Sequence, residues 1–268
     1  MLSVTSGVGF NSKQQERELY YIVKEMGLLS SLVLCLDSGS ASSYSGSGQT
    51  FTDVSGSSNN WFLGTSNLVE GNEPTFTGTA GSPTESTYFL CDGNDCFMDN
   101  NLSFADNWHN NTASWTFLIG YSPASSASYH AVFTNDTYNG TLNRMAVYVN
   151  SGNTQKVAIW TNTHGEVAST NSYNVGSWNI ISCTYGAVAN TMTWCINGTS
   201  ESRSVSANAA GGDLSDQQYF LLCSNNGFNM APNGTKVSFI LAWNTALSTT
   251  TQQELHRRIK LARMPSAF

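Results

Sequence analysis

The feature that most constrains this chain is a rhythm of short apolar or alternating runs separated by clusters of Gly, Asn, Ser and Asp. The runs fall at residues 87–90, 115–121, 129–133, 144–149, 156–161, 178–185, 191–196, 219–223 and 236–243. Strands at that spacing, broken by turn formers, predict an antiparallel sandwich or barrel. In 144–149, Met145, Val147 and Val149 alternate with Arg144, Ala146 and Tyr148, the period of a strand with one buried face. Asn150 to Asn153 supplies a turn into the next run, and Asn197-Gly198 is a strong tight-turn dipeptide.

Only the two ends change to a helical period. Asn11 or Ser12 can cap a helix beginning at Lys13, with Gln15 at capping-box spacing from Ser12. Leu19, Ile22, Val23 and Met26 then share one face, and Gly27 stops the helix. At the other end Ser248 or Thr249 caps, Glu254 and Arg258 form an i, i+4 pair, Leu255, Ile259 and Ala262 make the inner stripe, and Pro265 ends it. The expected organisation is an arm and helix over 1–31, a sandwich over 32–247 and a packed helix over 248–268. The face of Leu19, Ile22, Val23 and Met26 is expected to attach the chain to a partner, and the sandwich to fold without residues 1–26.

Charged residues make up 11% of the chain, so its polarity must come from Ser, Thr, Asn and Gly. Most basic side chains lie near the ends; between residues 26 and 250 only Arg144, Lys156, Arg203 and Lys236 oppose an acidic body. That body repels phosphate backbones and argues against nucleic acid. The basic ends read as solvated helix faces, or as a surface for an acidic partner. The apolar stretch 26–36 is too short to span a bilayer and follows balanced charges, so neither a membrane span nor a signal peptide is expected. Of six cysteines, Cys35, Cys183, Cys195 and Cys223 sit in apolar runs, where reduced, buried thiols are expected.

Sequence signals for catalysis are missing. There is no Gly-x-Ser-x-Gly elbow, no phosphate-binding Gly-Lys-Ser/Thr loop and no His-Glu-x-x-His, and the four histidines lack metal-ligand spacing. No strand presents the paired carboxylates of a glycosidase. No cofactor is expected; calcium is the one ion left open, through the oxygen-rich loop Asp92, Asn94, Asp95 and Asp99. Four aromatic residues, Trp61, Trp108, Tyr138 and Phe228, each sit in an Asn-rich loop and could stack on a sugar ring.

Four stretches in order add a resemblance. LCLDSGSASSYSGSGQTFTDVSGSSNNWFLG at 34–64 carries Asp37, Tyr44, Gly48, Asp53 and Gly56, with Phe51 where the family has Trp. ASWTFLIGY at 113–121, SWNIISCTYGAVANTMTWCING at 177–198 and ILAWNTALSTTTQQEL at 240–255 follow. Together they resemble the laminin-G-like, concanavalin-like jelly-roll family found in tailed-bacteriophage structural proteins. The resemblance implies an all-β, antiparallel two-sheet sandwich with short terminal helices. It also implies a non-enzymatic protein on a virion surface (a capsid decoration, fibre or tail accessory) assembled in the host cytoplasm, in several copies, against other virion proteins. The alternative is a carbohydrate-binding adhesin module that grips cell-surface glycans. The same residues also make sense as structure. Asp53 and Ser55 beside Gly56 would close a turn on neighbouring N–H groups, and Trp178 and Trp194 would both cross the core.

Overall fold

The computed structural model describes residues 17–64, 68–69, 71, 73–93, 97–99, 108, 114–125, 130–135, 145–149, 156–161, 165–205, 219–221 and 231–267. The N-terminal helix α1 (Leu19–Glu25) and the C-terminal helix α2 (Thr249–Arg263) bracket the strands. One sheet contains β1 (Leu32–Asp37), β4 (Thr75–Thr77), β5 (Tyr88–Leu90), β7 (Trp115–Ser122), β12 (Asn179–Gly186), β13 (Thr191–Ile196), β14 (Thr199–Ser204) and β16 (Lys236–Trp243). The other contains β2 (Thr50–Phe51), β3 (Trp61–Leu63), β6 (Phe97–Asp99), β8 (His130–Asn135), β9 (Met145–Val149), β10 (Lys156–Thr161), β11 (Gly165–Ser172) and β15 (Tyr219–Leu221).

The first sheet runs β14-β13-β12-β7-β16-β5-β4, and the second β11-β10-β9-β8-β15-β6-β3-β2, with every pairing antiparallel. On the far side of β16 from β7, β5 pairs with its start and β1 with its end. The described residues form a β-sandwich with a helix near each end, as expected from the rhythm and from the helical period at the ends.

The strands the sequence hid have physical reasons. β14 (TSESRS) is a polar, largely exposed edge strand, and β11 (GEVASTNS) is another polar edge. β1 (LVLCLD) resembles a targeting segment because every residue is buried, which follows from cover on both faces of its sheet. A bulge between Leu32 and Leu34 separates the side chains that face each way. The inner face packs Val33, Leu36, Phe117, Ile119, Ile181, Trp194 and Ile240 against Phe51, Trp61, Leu63, Phe133 and Val157 of the second sheet. The outer face packs Leu118, Ile180, Leu241 and Trp243 against Leu19, Ile22 and Val23 of α1 and Leu255 and Ile259 of α2. Gly120 is required there: a Cβ on it would lie 2.3 Å from the Phe239 ring.

α1 begins at Leu19, where Glu18 is extended (φ −71, ψ 138) and caps the first turn with its backbone; the expected start at Lys13 lies outside the described residues. The Leu19 N–H, which has no partner inside the helix, donates to the Asp37 carboxylate at 3.1 Å. The capping box at Ser12 lies outside the described residues. Gly27 ends α1 at φ +69, with Leu28 N–H returning to the Val23 carbonyl in a Schellman closure. The attachment face is corrected here: Leu19, Ile22 and Val23 are buried on the sheet and Met26 packs beside them. That face is spent inside the fold. The Asn197-Gly198 turn joins β13 to β14 with both residues at positive φ, the tight hairpin its sequence predicts.

Candidate functional site

The proposed sugar platforms divide at once. Trp61 and Trp108 are fully buried between the sheets. The Trp108 ring lies edge-on to Phe133 at 5.1 Å, and its Nε1–H donates to the Thr116 carbonyl at 3.1 Å. Neither face is open to a pyranose, so both are corrected to core residues. An Asn-rich loop does not predict exposure, because a large ring gains more by entering the core than by staying wet. Tyr138 and Phe228 lie outside the described residues. Trp178 is also corrected: it packs on the outer face near Tyr88, whereas Trp194 occupies the inner core.

In the acidic loop Asp92 is exposed and Asp99 pairs across from Trp61 on β6, while Asn94 and Asp95 lie outside the described residues. No three His, Cys, Asp or Glu side chains gather among the described residues. No helix among them is long and apolar enough to cross a membrane. Cys35, Cys91, Cys183 and Cys195 are buried, and burial pushes the Cys35 and Cys183 thiols up, away from nucleophilic thiolate. Cys96 and Cys223 lie outside the described residues.

Asp53 does what its turn predicts. Its carboxylate accepts from Cys35 N–H (2.8 Å), Ser55 N–H (2.9 Å), the Ser55 hydroxyl (2.7 Å) and Asn59 N–H (3.0 Å). Those bonds clip the 53–59 loop to β1.

Two polar clusters lie under α2, and neither was foreseen. At its C-terminal end Arg263 and Asp37, both essentially inaccessible, form an ion pair of 2.5 Å. Asp37 also accepts from Leu19 N–H and Gly39 N–H, and Arg263 Nη2 donates to Ser238 Oγ at 3.0 Å. The reading of all terminal basic residues as solvated or partner-facing is corrected for Arg263, which lies inside the fold. At the N-terminal end, His256 Nδ1 accepts from Gly198 N–H (3.2 Å), so Nε2 carries the proton and donates to Ser182 Oγ (3.0 Å). The Ser182 hydroxyl then donates to Gln252 Oε1 (2.8 Å), and Gln252 Nε2–H donates to the Leu247 carbonyl (3.0 Å). A serine nucleophile needs the opposite polarity, with Nε2 free to take the proton. Burial holds His256 neutral, lowering its pKa to about 3. This network is structural.

An open cleft remains beside the first cluster. Glu18, Tyr20, Tyr21, Ser40, Ser42 and Val54 line a space of about 170 Å³ between α1 and the turn after β1. Asp37 anchors the turn behind it: Ser40 N–H returns to the Asp37 carbonyl at 3.0 Å, and Ser43 N–H to the Ser40 carbonyl at 3.0 Å. Tyr20 and Tyr21 are half-exposed, Tyr20 packing partly on the outer core, with ring centroids 5.6 Å apart and nearly perpendicular. Burial, then the Asp37 charge, push the Glu18 carboxyl above its usual range; Ser40 Oγ donates to it at 3.3 Å. The signal was in the sequence: two adjacent tyrosines between Leu19 and Ile22 cannot both enter one apolar stripe. A second, more open hollow of about 330 Å³ lies between the helices beside Met26, Leu28 and Arg258.

No protein-family model matches the sequence, and no curated protein matches it significantly. Solved structures do match in fold. A botulinum neurotoxin type C structure, whose cell entry depends on interaction with two ganglioside molecules, aligns at TM-score 0.60 and 12% identity over 87% of this chain and 52% of its own. Domain 4 of an extracellular arabinanase from Geobacillus stearothermophilus, in complex with arabinotriose, aligns at TM-score 0.58 and 11% identity over 84% of this chain and 98% of that domain. A sialidase from Trypanosoma rangeli aligns at TM-score 0.56 and 10% identity over 87% of this chain and 34% of its own. The chain spans about half the length of the botulinum structures it matches. At these identities the likeness establishes the sandwich fold.

Proposed function

We propose that this chain is a non-catalytic carbohydrate-binding β-sandwich. The observation that carries the reading is the match to nearly the whole of an isolated arabinanase domain that holds arabinotriose. The ganglioside-dependent toxin points the same way. The buried Ser182–His256 pair is wired against nucleophilic attack, and no described strand places two carboxylates across an open groove, which favours binding over hydrolysis. The test is a glycan array followed by calorimetry on the full chain. Saturable binding of an oligosaccharide without release of reducing ends is expected; no retention of any glycan would overturn the reading. Adding and removing calcium during the same titrations tests the Asp92–Asp99 loop.

Display on a tailed-phage virion is a second proposal, resting on the four ordered sequence motifs. It is compatible with sugar binding, since a displayed sandwich can hold host glycans. Copurification of the chain with purified particles would support it, and its absence from particles made in an expressing host would end it.

A further inference from the structure

We infer that the cleft between α1 and the turn after β1 is the sugar subsite, and that it takes one neutral monosaccharide ring of a longer glycan. The inference deepens the carbohydrate-binding reading and rests on it. The space of about 170 Å³ is open to solvent, with room for one ring while the rest of a glycan extends outward. Its lining has the mixed character a sugar needs. Tyr20 and Tyr21 offer apolar ring surface with a polar tip, and Val54 adds an apolar wall. The Glu18 carboxylate and the Ser40 and Ser42 hydroxyls supply acceptors and donors for ring hydroxyls.

Charge selects the class. The six lining residues include one acidic group and no cation, so a sialylated or uronic ring finds no cation in the lining to offset its own charge. Rigidity favours the site as well. Leu19 N–H and the Ser40 turn are both held by Asp37, itself fixed by Arg263, so both walls are positioned before a ligand arrives. Tyr20 packs partly on the outer core, which fixes one wall, while Tyr21 beside it stays half-exposed.

The experiment uses the full chain and a panel of arabinotriose, cellotriose and maltotriose beside sialyllactose, read by calorimetry. Two variants are compared with the parent: Ser42→Trp, which plugs the cleft from an exposed position, and Glu18→Gln, which keeps size and removes charge. Both should keep thermal midpoints within about 2 °C of the parent. The inference expects a neutral trisaccharide to bind at least ten-fold tighter than sialyllactose, Ser42→Trp to abolish that binding and Glu18→Gln to weaken it about ten-fold. If the parent binds a neutral glycan and Ser42→Trp binds it equally well, the cleft is wrong while carbohydrate binding stands. If the parent prefers sialyllactose, the charge argument is wrong and the cleft assignment fails with it. If the parent binds nothing on the panel or on the wider array, both the subsite and the carbohydrate reading fall.

Discussion

The two ends of α2 bury polar groups under the same sheet face by opposite means. At the C-terminal end a full charge is buried, and it persists because Arg263 meets Asp37 and both find further partners. At the N-terminal end the titratable group is buried without a counter-ion, and it persists by staying neutral. The charged end joins segments from both ends of the chain: α1 through Leu19, β1 through Asp37 and α2 through Arg263. The neutral end joins α2 to β12 and the β13–β14 turn. A paired charge therefore acts here as a long-range clasp, and an uncharged network as a local seat. The clasp is imperfect, since Arg263 Nε is buried without an acceptor.

The largest effect should come from removing residues 1–26. That deletion strips Leu19, Ile22 and Val23 from the outer face and takes a donor from Asp37. It is expected to lower the unfolding midpoint in urea by more than any single substitution below. A truncated protein as stable as the parent would show that α1 is a dispensable handle after all.

Arg263→Met breaks the clasp and leaves Asp37 buried without its counter-ion, at a cost of about 3–5 kcal/mol in denaturant unfolding. The double variant Asp37→Leu with Arg263→Met should recover a large part of that loss, because the desolvation of both charges disappears together. If the double variant is as unstable as the single, the pair contributes more than it costs.

The neutral end should show itself through pH. His256 stays unprotonated in the folded state down to about 3, whereas the unfolded chain takes the proton near the ordinary 6.5. Its contribution to stability is thus complete above 6.5 and is lost as pH falls from 6.5 toward 3, at about 1.4 kcal/mol per pH unit. His256→Gln should flatten that part of the stability profile, measured by urea unfolding at pH 4, 5, 6 and 7. An unchanged slope would assign the acid sensitivity elsewhere. The smallest effect is at the helix start: Ser248 accepts from Thr251 N–H at 3.1 Å, so Ser248→Ala should cost about 1 kcal/mol and leave both clusters intact.

Local pattern was enough for the strands of the rhythm, the Asn197-Gly198 hairpin, the Asp53 turn and the Ser248 cap, because each depends on residues within a few positions of one another. It was enough to predict thiols in apolar runs, and Cys35, Cys183 and Cys195 lie buried. It could not say which face a given aromatic takes. Trp61 and Trp108 sit in polar loops and end in the core, while Tyr20 and Tyr21 sit in an apolar helix and end half-exposed beside a cleft. Nor could it pair Asp37 with Arg263, or place Gln252 and His256 on the same buried stripe as Leu255 and Ile259. Those outcomes follow from sheet order, register and the packing of α1 on β1 and of α2 across β12, β13 and β14. Burial belongs to surfaces brought together from distant parts of the chain, and no window of neighbouring residues contains both surfaces.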